Sequence, residues 1–163
     1  MDSRDSVKTE FLKQFAHTWR VFGGIVGDFD PEGWIRTGRG AITPARLSFH
    51  LLKSVKYYLE DSTVQNFESG KSVEQDWTTA KEEDLPSQRD VLACIGRLRE
   101  INEQWLRGLD FDAPNSSFPW AGESKMGVVL FLLRHTLYHL GELSSLLNEC
   151  RRGIVEDHYV KAM

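Results

Sequence analysis

Apolar residues recur along this chain at intervals of three and four, the period of a helix, and nowhere alternate as a half-buried strand would. Phe11, Phe15, Thr18, Trp19 and Phe22 follow that spacing and predict a first helix from about Ser6 to Val26, loosened at its end by Gly23, Gly24 and Gly27. A turn-rich stretch follows, with Asp30-Pro31, Gly33, Gly38 and Gly40. Thr43 then stands where it can cap a second helix, with Pro44 in the first turn. Leu47, His50, Leu51, Ser54, Val55 and Tyr58 form the inward face of that helix, which is expected to run to about Asp61.

From Ser62 to Pro86 the sequence is polar and weakly periodic. A structureless loop of that length is uncommon in a compact domain, which predicts a short helix near Val73–Thr79. Ser87 opens the third helix, and Asp90 three residues on favours its first turn. Val91, Ile95, Leu98, Ile101, Trp105 and Leu109 form its stripe. The turn-rich connection DFDAPNSSFPWAGES precedes a fourth helix, from roughly Ser124 to Cys150, with Gly153 just beyond.

Four helices of this length joined by polar loops predict an all-α chain, an antiparallel four-helix bundle with long connecting loops. No internal repeat breaks it up, so 1–163 reads as a single domain with a polar tail from about 153. The fourth helix is expected to be the most buried element. Leu130, Phe131, Leu133, Leu137 and Leu140 leave it apolar on nearly every side, more than one seam requires, which predicts either a homodimer contact or a cover of loops.

Composition narrows the functional classes. Hydrophobic residues make up 40% and charged residues 27%, so neither a disordered nor a fibrous chain fits. The net charge is −4 with no run of like charges, which argues against nucleic acid as a partner, since phosphate binding needs a basic face. The start, MDSRDSVKTEF, lacks the apolar core of a signal peptide. Only Met126 to Leu147 approaches membrane-spanning length, and Arg134, His135, His139 and Glu142 interrupt it. Cys94 and Cys150 lie far apart, in no CxxC spacing, which suits inert thiols in a reducing compartment. The expectation is a cytoplasmic protein without a membrane partner.

Chemistry concentrates in the histidines. His135 and His139 stand four residues apart in HTLYHLGEL, and residues so spaced on a helix are neighbours, about 5–6 Å between Cβ atoms. They share a face with Val128, Leu132, Glu142 and Leu146, and His50 lies on the inward stripe of the second helix. Burying a neutral imidazole without a partner costs on the order of 1–3 kcal/mol, so each ring must find a hydrogen bond or an ion. Two readings stand. The three are core histidines satisfied by one another and by nearby groups, or they hold a metal, which satisfies all of them at once.

A zinc peptidase does not fit, because Thr136 follows the first histidine where HExxH needs glutamate. Glu142 has four possible roles: an orienting acceptor for an imidazole, a fourth ligand, a proton acceptor, or a partly solvated residue at the bundle end. His17 falls off the main stripe and His158 lies in the polar tail, so both read as surface residues. Arg36, Arg39 and Arg46 flank the glycine-rich loop, either as a solvated rim or as an attraction for an anionic substrate. Trp34 and Trp120 lie in loops, where they line a pocket mouth or cap the core. No GxSxG motif is present, and neither cysteine has an activating histidine nearby in sequence.

These residues resemble the DinB superfamily, whose hallmarks are a four-helix bundle, one histidine in the second helix and an HxxxHxGQ-like motif in the last. His50 matches the second-helix ligand, and His135 with His139 the terminal pair. The motif continues as Leu140-Gly141-Glu142, with glutamate where many relatives have glutamine. The likeness runs from the first helix to Cys150; the Ser62–Pro86 segment and the tail are less typical. It implies a divalent metal, zinc or nickel, held by His50, His135 and His139, and a small-molecule substrate. Relatives with assigned roles include transferases using low-molecular-weight thiols, which points to a thiol S-transferase. A metal-dependent hydrolase, or a non-catalytic stress-related bundle, remains the alternative.

Overall fold

The computed structural model describes residues 3–151 and 157–163. Among these the chain is all-helical. Its helices are α1 (Ser3–Asp28), α2 (Pro31–Arg36), α3 (Pro44–Tyr58), α4 (Gln88–Gly108), α5 (Lys125–Arg151) and α6 (His158–Lys161), with short 3-10 turns at Glu82–Asp84 and Pro119–Ala121. No strand is formed among the described residues, only isolated bridges such as Arg39 with Ile42. None of the described helices is long and apolar enough to cross a membrane.

The four long helices pack as a closed circuit: α1 lies against α4 and α5, and α3 against the same two. Phe22, Leu47, Leu52, Leu98, Leu132 and Leu143 are fully buried where they meet. Truncating one of these leucines to alanine costs about 2–5 kcal/mol, because the cavity left behind only partly collapses.

The helix starts follow their caps, with one exception. At α4 Ser87 Oγ accepts from the Asp90 backbone N–H at 3.1 Å, while Asp90 Oδ2 accepts from Ser87 N–H at 3.0 Å, a complete capping box. At α3 Thr43 holds the cap position but makes no side-chain capping bond, so Pro44 in the first turn sets the start. α3 stops at Tyr58 rather than Asp61, because Glu60 takes a positive φ of 54°.

Two short helices depart from the expected pattern. α2 forms where a loop was predicted: Asp30 Oδ1 accepts from Gly33 N–H at 2.7 Å and Pro31 fills the first position. Gly33 is required there, since a Cβ would lie 2.1 Å from Cys150 Sγ. The turn buries Trp34, whose indole donates to the Pro86 carbonyl at 3.0 Å; Trp34 caps the core rather than a pocket mouth. α6 docks on α1, with Arg20 donating to the Ala162 carbonyl at 2.9 Å.

The helix expected at Val73–Thr79 is absent, and that segment consists of turns. Asp76 Oδ1 accepts from the Thr78 N–H at 2.9 Å, and Arg46 donates to the carbonyls of Trp77 and Ala80, each at 2.8 Å. These bonds occupy the groups a helix would use. Arg46 is therefore a loop anchor, not part of an open cationic rim.

α5 is not the most buried element. Eight of the 15 residues of α3 are buried, against eight of 27 in α5. Leu140 turns into the core, and Tyr58 packs on Phe131 at 5.1 Å between ring centres. Leu130 and Leu137 remain 51% and 38% exposed.

Candidate metal centre

Packing of α3 against α5 brings the three predicted histidines together. Each offers one ring nitrogen to a common centre, and these nitrogens all lie within 4.8 Å of one another. His50 Nε2 and His135 Nε2 stand 3.2 Å apart. Two nitrogens about 2.1 Å from a tetrahedral ion would be separated by about 3.4 Å, so that pair already has close to the spacing a metal imposes. The ring centres of His50 and His139 lie 4.7 Å apart, and those of His135 and His139 4.6 Å.

Glu142 fixes the third ring. Its Oε2 lies 2.6 Å from His139 Nδ1. A carboxylate can only accept, so Nδ1 carries the hydrogen and the lone pair of Nε2 is left for the centre. Of the four roles open to Glu142, this contact is the one that an acceptor orienting an imidazole makes. His135 has no such support: its Nδ1 is buried without a partner. That nitrogen is left without a partner whether His135 Nε2 meets His50 or an ion, so it does not separate the two readings.

The electrostatics suit ligation. Burial first, then the neighbouring His139 and His135, pushes the His50 pKa down to about 4. Burial, followed by His139, lowers that of His135 as well. Both rings are neutral near pH 7, the form in which imidazole binds metals. The donor set, three convergent nitrogens and no carboxylate turned inward, suits zinc, nickel or another first-row ion of that type.

Each ring is backed by an aromatic side chain. Trp77 lies 4.6 Å from His50, Phe131 stacks nearly parallel to His135 at 5.9 Å, and Tyr138 meets His139 edge-on at 5.1 Å. Trp77 was missed by sequence reasoning; its only signal is a lone indole in a polar stretch. Trp120 is 58% exposed and donates to the Tyr58 hydroxyl at 3.0 Å, beyond the Phe131 wall.

The remaining candidates fall elsewhere. Cys94 and Cys150 are both free, and burial raises the pKa of each thiol, so neither is an activated nucleophile. His17 reaches the Tyr159 carbonyl at 2.8 Å. His158 is buried, not superficial: it packs over Gly24 and pairs with Asp28 Oδ2 at 2.8 Å. A polar tail hid this, because the contact depends on α6 folding back onto α1.

Comparison with protein-family models, with curated proteins and with solved structures returned no match for this chain.

Proposed function

We propose that this protein is a divalent-metal-dependent enzyme of the DinB kind. In this reading it is an antiparallel four-helix bundle whose His50, His135 and His139 hold zinc or nickel, and it transfers a low-molecular-weight thiol to a small electrophilic substrate. The convergence of three ring nitrogens within 4.8 Å carries the reading. The closed circuit of packed helices supports the bundle.

When bound, such an ion supplies Lewis acidity, lowering the pKa of a thiol in its open position until the thiolate is present at neutral pH. The chain's own residues do the rest. Glu142 holds His139 in the ligating tautomer. His50 and His135 stay neutral, and Trp77 and Phe131 screen their rings from water. All three histidines are half-buried rather than sealed, which favours an accessible position over a purely structural ion.

We also assign a second copy of the chain as partner through α5, where Leu130, Leu137 and Tyr138 are 51%, 38% and 66% exposed. The two free thiols fit a cytoplasmic location.

Metal analysis of protein purified without an affinity tag should give about one ion per chain, and His139→Ala should retain none while keeping its helical circular dichroism. Thiol-dependent conversion of an alkyl or aryl halide should require the loaded protein. Full activity of His139→Ala after chelation would mean that the histidines are structural.

A further inference from the structure

The seam between α1 and α4 holds a cavity of about 400 Å³ that none of the three histidines lines. Phe15, Trp19, Asn102 and Leu106, all buried, form its floor, and Leu12 and Ala16 add half-buried apolar wall. One polar group in that floor is incomplete. Asn102 is 1% exposed, and its amide is oriented by Trp19, whose indole nitrogen lies 3.2 Å from Asn102 Oδ1. An indole N–H can only donate, so the carbonyl side of the amide must face it and the NH₂ must face away. Asn102 Nδ2 is buried there with no partner. Buried amide donors are normally satisfied, and what this one lacks is an acceptor.

The charges at the rim point to the kind of acceptor. Lys13, Arg99 and Arg107 line the cavity together with one carboxylate, that of Glu103. Lys13 pairs with Glu10 at 2.8 Å and Arg107 with Glu103 at 2.6 Å. Arg99 makes no ion pair among the described residues. It stands three residues before Asn102, one turn along the same face of α4. An unneutralised guanidinium and an unpartnered amide N–H thus sit side by side, and both only donate. The volume is that of a small-molecule site, and Leu12, Ala16 and Phe15 give an apolar body surface to bury against.

We propose that this cavity is a second binding site, for a small carboxylic acid with an apolar body. One carboxylate oxygen accepts from Asn102 Nδ2 and the other from the Arg99 guanidinium, while the body lies against Leu12, Ala16 and Phe15. The site does not depend on a metal at the histidines.

The test titrates the full ¹⁵N-labelled chain with benzoate, with neutral benzyl alcohol and with inorganic phosphate, following the Asn102 side-chain amide and the Trp19 indole N–H by NMR. Benzoate should move both signals and bind about fivefold more tightly than the alcohol, the difference between a charge-assisted and a neutral hydrogen bond. Arg99→Gln, a change at an exposed side chain, should remove that preference and leave the alcohol's affinity unchanged, whereas Arg99→Lys should keep most of it. The proposal is overturned if benzoate leaves both signals in place, if the two aromatic probes bind equally, or if the preference survives Arg99→Gln. Phosphate that moves the same signals at the same concentration as benzoate also overturns it, because the rim would then attract any anion and the apolar wall would select nothing.

Discussion

Replacing Glu142 by glutamine keeps the shape of the side chain and removes its charge. In the wild-type protein Oε2 accepts from His139 Nδ1–H at 2.6 Å, with 31% of the glutamate side chain and 16% of the histidine side chain exposed. A hydrogen bond to a charged group contributes about 1.5–3 kcal/mol and a neutral one about 0.5–1.5 kcal/mol. The glutamine carbonyl still accepts the same N–H, so the substitution forfeits only the difference, about 1 kcal/mol, or about fivefold in metal affinity. Glu142→Ala removes the acceptor altogether, lets the ring change tautomer, and should cost about 10–100-fold. Competition between the protein and a chromogenic chelator for cobalt or zinc measures both variants directly. Two results refute the reasoning. In one, metal affinity is unchanged in both variants, so that Glu142 does not orient His139. In the other, Glu142→Gln leaves affinity intact but slows turnover by about 10²–10⁴-fold, the signature of a general base.

Gly33→Ala should lower the melting temperature, since its Cβ would fall 2.1 Å from Cys150 Sγ; a cost of about 1–3 kcal/mol is expected for such overpacking, with recovery in Gly33→Ala/Cys150→Ala. The metal-free protein should be most stable above about pH 6.5 and lose stability as pH falls toward 4. The His50 pKa is pushed down from 6.5 to about 4, so the unfolded chain takes up a proton in that window that the folded one refuses. The upper bound of that loss is about 3 kcal/mol, and urea melts of wild type and His50→Asn should converge at low pH; parallel curves would contradict it. Light scattering across micromolar concentrations should give a dimer that Leu137→Glu dissociates, and a wild-type monomer would rule out the α5 contact.

How legible each element was depended on whether its cause was local. α4 could be read from Ser87, Asp90 and its apolar stripe because the cap and the stripe lie within the helix itself. α2 has an equally local start in Asp30-Pro31, but Gly33, Gly38 and Gly40 crowd the same stretch and read as a loop. The Val73–Thr79 helix failed for a nonlocal reason. Arg46, some thirty residues away, takes the carbonyls of Trp77 and Ala80, and no periodicity in the loop announces that. His158 was misplaced in the same way, since only the docking of α6 over Gly24 buries it.

The candidate centre was legible for the reason it is costly. An imidazole on an apolar helix face needs a partner, and three of them at inward positions on two helices identify one another before any coordinates exist. His50, His135 and His139 were found that way, and their nitrogens lie within 4.8 Å. The partners of those rings are harder to read, because they follow from packing rather than from burial cost. Glu142 lay one turn away, and only the structure shows its 2.6 Å contact with His139 Nδ1. Trp77 covers His50 from the loop that follows α3, and the Glu74 and Gln75 carbonyls of that loop hold Lys53 of α3. The three histidines are thus inscribed in the pattern of each helix, whereas the groups that cover them arise where a polar loop meets α3. A cavity beside Lys53 is assembled in the same way, from α3, the loop at Glu74 and the connection at Ser117 and Phe118, so no single stretch of sequence announces it.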